Sequence, residues 1–479
     1  NPASLHQIMT NLEIGRPPKR FNAAKPILFI LLVVALVAGG YFMIPKFEWS
    51  APRIKVTPET DTVGLAPIEI EITEQGTGLK SLTVSLASSG TEHSLAAEQY
   101  DSPLMQKTLT VALSSKLTGL KEGPAVLRIT AQDGSLWSFF KGNETIVEKN
   151  LTIDLTPPTL ELIADDPYVS FGGSGLIVYK PSPDTIRSGV KIGKYFFPGY
   201  KGHTNDANAS VAFFAHPYDV PETEKAALVA SDKAGNERQM TLPYTLKDVR
   251  YKKSTIPVSD NFIHAKVAPL LNDVGSRQGN AKDIFIKVNR ELRKENDDRI
   301  RALSEKSAST ILWSGAFGQL TNSKVEANFA DARTYVYQDE KIDNAYHLGF
   351  DLSVTKRYPV EAANDGIVSF VGDLGIYGNT IIVDHGLGLA TLYSHLSSID
   401  VKAGDQIKKQ QILGKTGETG LAAGDHLHFG VYLHGVPVLP LEWWDAKWIK
   451  DNVQAKLDPS MGSDPEAKPQ PKSVRRRRG

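Results

Sequence analysis

A run of almost uninterrupted apolar residues at positions 26–45 is the feature that most limits how this chain can fold. About 20 apolar residues suffice to cross a bilayer as a helix. Arg16, Lys19 and Arg20 precede the run, and such a positive flank stays in the cytoplasm. We therefore predict a cytoplasmic segment over residues 1–25, one transmembrane helix over 26–45, and everything after it outside the cytoplasm. A cleaved signal sequence and a buried core helix are the alternatives.

Composition narrows the classes of function that remain. The 479 residues exceed a single core, so several folded units are expected. The 54 basic residues equal the 54 acidic ones in number, which gives no reason to expect a nucleic-acid partner. The chain has no cysteine. Disulfides and thiolate metal sites are therefore excluded, and any metal must be bound by His, Asp or Glu.

Residues 50–156 and 157–250 are typical of β-structure. The segment 67–72 alternates apolar and polar residues at a period of two, and Thr156-Pro157-Pro158 breaks the pattern. The turns 131–134 and 230–237 resemble strand-end turns of bacterial immunoglobulin-like domains. We predict two Ig-like β-sandwich modules that act as spacers. Asp133 and Asp232 in these turns are alternative calcium ligands, although an acidic turn more often caps itself.

Residues 251–310 predict a helical connector. Asp283 is the expected N-cap of a helix in which Ile284, Val288 and Leu292 recur at four-residue spacing beside a strongly charged face. A partner-binding coiled coil is the alternative, but it has too few heptads. Residues 451–479 are rich in proline and lysine and contain four consecutive arginines. We predict a disordered basic tail and assign it no function.

Residues 311–450 predict a compact, mainly antiparallel β-domain of short strands with glycine-rich turns. This domain holds His347, Asp351, His395, His426 and His428. Imidazole and carboxylate are ligands that zinc prefers, and a catalytic zinc needs only three protein ligands. On a strand, His426 and His428 point the same way, with Leu427 and Phe429 packed behind them. Spacing alone allows either histidine of this pair to bind metal.

Three short motifs then carry a family resemblance. His347-Leu-Gly-Phe-Asp351, Tyr393-Ser-His395 and His426-Leu-His428 resemble the signature motifs of the lysostaphin-like (LytM-type) zinc metallopeptidases, over about residues 325–445. The resemblance implies Zn²⁺ as cofactor, with His347, Asp351 and His428 as ligands. It implies His395 and His426 as catalytic histidines that do not bind the metal. Tyr393, two residues before His395, is a candidate to support the oxyanion.

The family cuts peptide bonds in the stem peptides or cross-bridges of bacterial peptidoglycan. The resemblance therefore implies a peptidoglycan endopeptidase in the periplasm or cell wall space, held at the bacterial inner membrane by one helix. Family members that have lost ligands activate other wall hydrolases, so a non-catalytic wall-binding scaffold or activator is the alternative. One departure is Ala330 in the run 329–333, where the family usually has glycine. The connector at 283–307 is also a candidate inhibitory lid over the groove.

Overall fold

The computed structural model describes residues 24–113 and 120–458, in which the chain divides into two compact units, 1–155 and 156–479. The first unit begins with the apolar helix Ala24–Met43 and the short turn Ile44–Lys46. Its length and composition suffice to cross a membrane, and a signal sequence would pass the same test. Residues 1–23 of the predicted cytoplasmic segment 1–25 and the arginine-rich end of the tail lie outside the described residues.

The first unit continues as two β-sheets that enclose one core. Ile70 and Ile72 are buried, whereas Glu69, on the opposite face of the same strand, is exposed. The predicted alternation is therefore confirmed. These isoleucines pack in one cluster with Leu82 and Leu127 of the other sheet. The strands, in sheet order, are Arg53–Thr57, Ile68–Thr73 and Gln106–Val111, and then Thr62–Val63, Glu144–Ile153, Gly123–Asp133, Leu79–Ser88 and Thr91–Leu104. A helical turn spans Trp137–Phe140.

The second unit opens with two four-stranded sheets and one parallel strand pair. The sheets are made of Tyr200–Lys201, Ser210–Ala215, Ser174–Pro181 and Leu160–Ala164, and of Tyr195–Pro198, Thr185–Ile192, Ala227–Asp232 and Glu237–Thr241. The pair is Tyr168–Ser170 with Thr245–Lys247. The sequence predicts a separate spacer here, and the structure differs. These strands share one continuous hydrophobic core with the C-terminal domain.

Polar contacts also join these β-sheets to the C-terminal domain. They come from four helical segments, Pro440–Trp444, Ala446–Ile449, Lys450–Gln454 and Ala455–Leu457. Glu442 accepts a hydrogen bond from the Ser174 amide at 2.7 Å, and Trp443 Nε1 donates to Ser174 Oγ at 3.1 Å. Lys456 forms a buried ion pair with Asp166. The helix therefore continues past residue 450, where the sequence predicts disorder, because its side chains are held by the preceding β-sheets.

Burial of Glu442 makes this junction sensitive to pH. Burial, together with the nearby Asp166 charge, raises the pKa of Glu442 from 4.5 to about 7 despite hydrogen bonds from Ser174 and Ser170. Between pH 4.5 and 7 the folded state thus binds a proton that the unfolded state has released, so this group makes stability fall as pH rises through that window.

We expect Glu442→Gln to remove this dependence and to exceed the parent in stability at pH 8 by about 3 kcal/mol, with a much smaller difference near pH 4.5. Urea unfolding followed by tryptophan fluorescence at both pH values measures the effect. A variant with the same pH dependence as the parent would contradict it.

The connector begins with the strand Lys253–Pro257, which pairs with Ala332–Tyr337, itself paired with Glu340–Tyr346. Asn280, not Asp283, caps the helix Ala281–Lys287: its side chain accepts from the Lys282 amide at 2.9 Å, and Asp283 lies within the first turn. The predicted apolar stripe is confirmed by burial of Ile284 and Val288. The remaining helical segments are Asp260–Phe262, Ile263–Val267, Ala268–Leu270, Val274–Arg277, Val288–Leu292 and Arg293–Ser304.

An eight-stranded antiparallel sheet forms the C-terminal domain. Its path is Lys324–Ala327, Phe350–Ser353, Leu427–Leu433, Leu389–Ser394, Asn379–Gly386, Gly366–Asp373 and Gln406–Ile407, with Val436–Val438 paired to Leu427–Leu433. A smaller sheet contains Pro359–Glu361, Ile412–Lys415 and Ser398–Ile399, and Gly375–Tyr377 forms a helical turn. The predicted mainly β fold is confirmed.

The two faces of this sheet have different partners. Along Leu427–Leu433, Leu427 and Phe429 pack in the core shared with the β-sheets of residues 156–250. Tyr432 packs in a second core with Ile284 and Ile300 of the connector. Because strand residues alternate between faces, His428 lies on the connector side. The connector therefore covers most of this face, and His428 stands at one end of it.

Candidate metal centre and peptidase groove

Three side chains converge at the end of the central strands. His347 Nε2 and His428 Nδ1 each lie 2.9 Å from Asp351 Oδ1 and 3.0 Å from one another. His347 and His428 are buried, and Asp351 is largely buried. The sequence placed these residues in one candidate site, and the fold brings their donor atoms together.

Strand register explains the convergence of residues so far apart in the chain. Strand Leu427–Leu433 lies between Phe350–Ser353 and Leu389–Ser394. His428 is paired with Asp351 on one side and with Ser394, which precedes His395, on the other. Both long-range pairings are antiparallel ladders whose register is set by the buried apolar face. A shift of one residue in the first ladder would turn His428 away from Asp351, and a shift in the second would move His395 away from His428.

The hydrogen bonds around His347 suit a cation at the centre. His347 Nδ1 lies 2.9 Å from the carbonyl oxygen of Asn328, which can only accept, so Nδ1 carries the proton. The Nε2 atom of His347 then points at Asp351 Oδ1, so a proton or a cation must lie between these two atoms. His428 Nε2 is buried without a hydrogen-bond partner among the described residues, while Nδ1 faces the centre. This donor set fits Zn²⁺.

Asp351 is held from its other side. Arg333 lies 3.4 Å from Asp351 Oδ2, which leaves Oδ1 facing the two histidines. Burial alone would raise the pKa of Asp351, but the neighbouring His347, His426 and His428 outweigh it and hold the pKa well below the usual range. The carboxylate is therefore ionised at neutral pH and available as a ligand.

His395 and His426 lie beside this centre, with ring centroids 4.9 Å apart. The Nδ1 atoms of His395 and His426 bond to backbone carbonyls, of Thr419 at 2.7 Å and of Gly424 at 2.8 Å, so each ring is oriented with Nε2 free of a backbone partner. Burial, and then the neighbouring histidines, lowers the pKa of His395 to about 3. Burial alone would lower the pKa of His426, but Asp351, 3.4 Å away, raises it.

Tyr393 does not face the site, contrary to the sequence-based expectation. Its hydroxyl accepts from the Ala363 amide at 2.8 Å and bonds to Thr391 at 3.0 Å, and its ring packs on Phe429 in the core. The strand ends at Ser394, and His395 has a φ of +61°. Because this left-handed residue interrupts the alternation of faces, Tyr393 and His395 point in different directions.

An open groove of about 720 Å³ leads to the centre. One wall comes from the connector, with Ile256, Val258 and Phe262, and the opposite wall comes from residues 421–425. The helix Arg293–Ser304 packs beside the groove: Asn296 accepts from the Ile376 amide at 2.9 Å, and Tyr377 donates to Asp297 at 3.3 Å. Phe285 and Arg293 of the segment 283–307 line the groove together with His347, and the inhibitory lid stays a prediction.

Several contributors to the site were missed from sequence. The carbonyls of Asn328 and Thr419 orient two histidines, but a backbone carbonyl has no residue-type signal. The unusual Ala330 adopts a left-handed φ of +58°, and its amide donates to the His347 carbonyl at 2.6 Å. The preference of this position for glycine in the family has a physical basis in that conformation. Alanine is accommodated here without displacing His347.

Residues 345–440 match the family model of Peptidase family M23. The C-terminal part of this chain therefore carries a domain of family M23, the LytM-type group. The matched residues contain the three motifs that carried the sequence resemblance. Both predictions, of the family and of the mainly β fold, are confirmed.

Similar proteins include two that are named as endopeptidases. The DD-carboxypeptidase/endopeptidase Mpg of Neisseria meningitidis is 37% identical over 95 residues, and the peptidoglycan DD-endopeptidase ShyA of Vibrio cholerae is 36% identical over 94 residues. Each alignment covers 20% of this chain and 22% of the relative. The chain thus spans about a fifth of these relatives. A putative peptidase M23 structure from Pseudomonas aeruginosa aligns with 59% of this chain and 96% of its own, at 20% identity and a TM-score of 0.38.

Proposed function

We propose that this protein is a zinc-dependent endopeptidase that hydrolyses peptide bonds of bacterial peptidoglycan. The observation that carries the proposal is the convergence of His347 Nε2, His428 Nδ1 and Asp351 Oδ1, all within 3.0 Å of one another, at the end of an open groove. Its place in an M23 domain and the DD-endopeptidase relatives support the reaction class.

In this proposal His347, Asp351 and His428 would hold the zinc, since a catalytic zinc needs only three protein ligands. When bound, the metal acidifies a water and polarises the scissile carbonyl. The second contacts of each ligand support the assignment. Asn328 fixes the tautomer of His347 and Arg333 holds the far oxygen of Asp351, so the donors are oriented before metal arrives.

His395 and His426 act on the reacting groups rather than on the metal. With Nδ1 of each ring committed to a backbone carbonyl, Nε2 remains to orient or deprotonate the attacking water and to stabilise the tetrahedral oxyanion. His395 and His426 line the groove together with His347 and Asp351, and this position supports their catalytic role. Tyr393 has no part in this mechanism because it is buried in the core.

The apolar helix Ala24–Met43 supports a location at the bacterial inner membrane. The catalytic domain would then lie in the periplasm or cell wall space, where peptidoglycan stem peptides and cross-bridges are available. A cleaved leader would release the same domain into the same compartment, so the substrate class does not depend on which of the two this helix is.

Incubation of the full chain in detergent with cross-linked peptidoglycan, followed by muropeptide analysis, tests the function. The zinc-loaded protein should convert cross-linked species to uncross-linked ones, and a chelator should stop the conversion until zinc is restored. A fragment beginning at residue 251 is unsuitable, because it would lack the part of the shared core that residues 156–250 supply.

The non-catalytic alternative, a wall-binding scaffold or activator, predicts a different outcome. In that case zinc-loaded protein would bind peptidoglycan and leave every cross-link intact, and His395→Ala would be indistinguishable from the parent. His264→Ala, an exposed histidine of the connector, is the control for nonspecific effects of removing an imidazole. Cleavage that survives both the chelator and His395→Ala would contradict the proposed mechanism.

A further inference from the structure

A second group of potential metal ligands lies in the first unit, more than two hundred residues before the peptidase centre in sequence. Glu48, Glu74 and Asp133 each offer a carboxylate oxygen, and these oxygens lie within 4.8 Å of one another. They come from the segment after the apolar helix, from the end of strand Ile68–Thr73 and from the end of strand Gly123–Asp133. Among the described residues no lysine or arginine forms an ion pair with any of the three.

Glu74 is the member whose bonding is incomplete. It is only 5% exposed, and its Oε1 accepts from the amides of Gln75 at 2.8 Å and Gly76 at 2.9 Å. Its Oε2 is buried and has no hydrogen-bond partner among the described residues. Burial, and then the charges of Glu48 and Asp133, raises the pKa of Glu74 against these amide bonds. A buried carboxylate oxygen without a partner is unfavourable, so this position calls for a cation or a proton.

The other two carboxylates are fixed in place. Asp133 Oδ1 accepts from the amides of Ser135 at 2.9 Å and Asn143 at 2.7 Å, so Asp133 caps its own turn as predicted. Glu48 Oε1 accepts from the Thr77 hydroxyl at 2.6 Å. A Cβ at Gly76 would lie 1.2 Å from Glu48 Oε2, so glycine is needed there for Glu48 to approach. The oxygens are therefore preorganised before any ligand binds.

We propose that Glu48, Glu74 and Asp133 form a calcium site. The set offers only carboxylate oxygens, and Ca²⁺ takes six to eight oxygen ligands in flexible geometry, whereas Mg²⁺ demands a near-ideal octahedron and usually keeps several waters. The set contains no imidazole, which zinc would favour. With three carboxylates, the dissociation constant should lie in the range of about 10⁻⁴–10⁻³ M that is typical of extracellular modules.

Calcium at this site would stiffen the joint between the apolar helix and the β-sheets. The Glu48 carbonyl accepts from Ser135 Oγ at 2.8 Å and from Asn143 Nδ2 at 3.0 Å, and the Lys46 carbonyl accepts from the Leu136 amide at 2.7 Å. The segment that leaves the helix is thus already bonded to the turn that carries Asp133. A cation shared by Glu48 and Asp133 joins the same two segments through their side chains.

Hydrogen–deuterium exchange of the zinc-loaded full chain in detergent tests the site. Ca²⁺ at about 5 mM should slow exchange in peptides covering residues 74–78 and 133–143 by about five- to fiftyfold. Glu74→Gln should lose this protection. Glu69→Gln, which removes an exposed charge from the same strand, should retain it.

Unchanged exchange in the parent would overturn the proposal, as would equal calcium protection in Glu74→Gln. Equal protection by Mg²⁺ would overturn the choice of calcium. Glu48→Gln provides a second variant that does not depend on folding of the sheets, because Glu48 precedes every strand. It should also lose the protection, and exchange in strand Leu79–Ser88 reports whether each variant is folded.

Discussion

Replacing His428 by alanine should remove zinc from the protein, whereas replacing His426 should leave zinc bound and remove activity. His428 Nδ1 lies 2.9 Å from Asp351 Oδ1 and 3.0 Å from His347 Nε2, while His426 Nε2 lies 3.4 Å from the same oxygen. Mutation of a residue that hydrogen-bonds to a metal ligand typically lowers metal affinity about 10- to 100-fold. Loss of a ligand itself should lower zinc affinity by more than that. Loss of His426 should lower the rate about 10²–10⁴-fold, as for a general acid or base.

Zinc content after dialysis and muropeptide release from cross-linked peptidoglycan measure the two effects separately. His264→Ala should match the parent in both. The assignment of roles fails if His426→Ala loses its zinc, or if His428→Ala keeps both zinc and activity.

Gly349→Ala should disrupt the same centre without touching a ligand. A Cβ at Gly349 would lie 2.5 Å from the Phe429 carbonyl oxygen and 2.8 Å from His428 Cε1 and Nε2. The carbonyl belongs to a central strand whose register pairs Phe350 with Phe429 and Asp351 with His428. The added methyl group must therefore move the His428 ring or separate the two strands.

We expect Gly349→Ala to lower zinc affinity at least about tenfold and stability by about 1–3 kcal/mol, as for overpacked interiors. Gly424→Ala is a matched control, because a Cβ there meets nothing within 4 Å although Gly424 lines the same groove. Competitive zinc titration and thermal unfolding measure the effects. If Gly349→Ala bound zinc as tightly as the parent, the predicted clash between the added methyl group and the His428 ring would be wrong.

Local pattern alone predicted a large part of the molecule. Alternation at 67–72 predicted a strand with buried isoleucines, and the four-residue spacing of Ile284 and Val288 predicted a buried helical stripe. Both follow from periodicity, which acts between near neighbours. One local prediction was wrong because two candidate capping residues lie close together in sequence. Asn280 caps the helix instead of Asp283, since the Asn280 side chain accepts from the Lys282 amide.

Tertiary structure decided the features that depend on distant segments. Tyr393 matched the pattern of a site residue, but the left-handed conformation of His395 turned it into the core. Residues 157–250 have the pattern of a separate spacer. Contacts from Glu442, Trp443 and Lys456 instead hold these strands against the C-terminal domain.

For the chemistry of the site, the sequence by itself determined which residue types were present: histidines and an aspartate at strand spacing, no cysteine, and one apolar run long enough to cross a membrane. Only the tertiary structure decided which atoms meet. Strand register brought Asp351 opposite His428, and the Asn328 carbonyl selected Nε2 of His347. The physical reason is that side-chain chemistry and periodicity are local properties. The meeting of donor atoms depends on long-range pairing and packing, which no short motif contains.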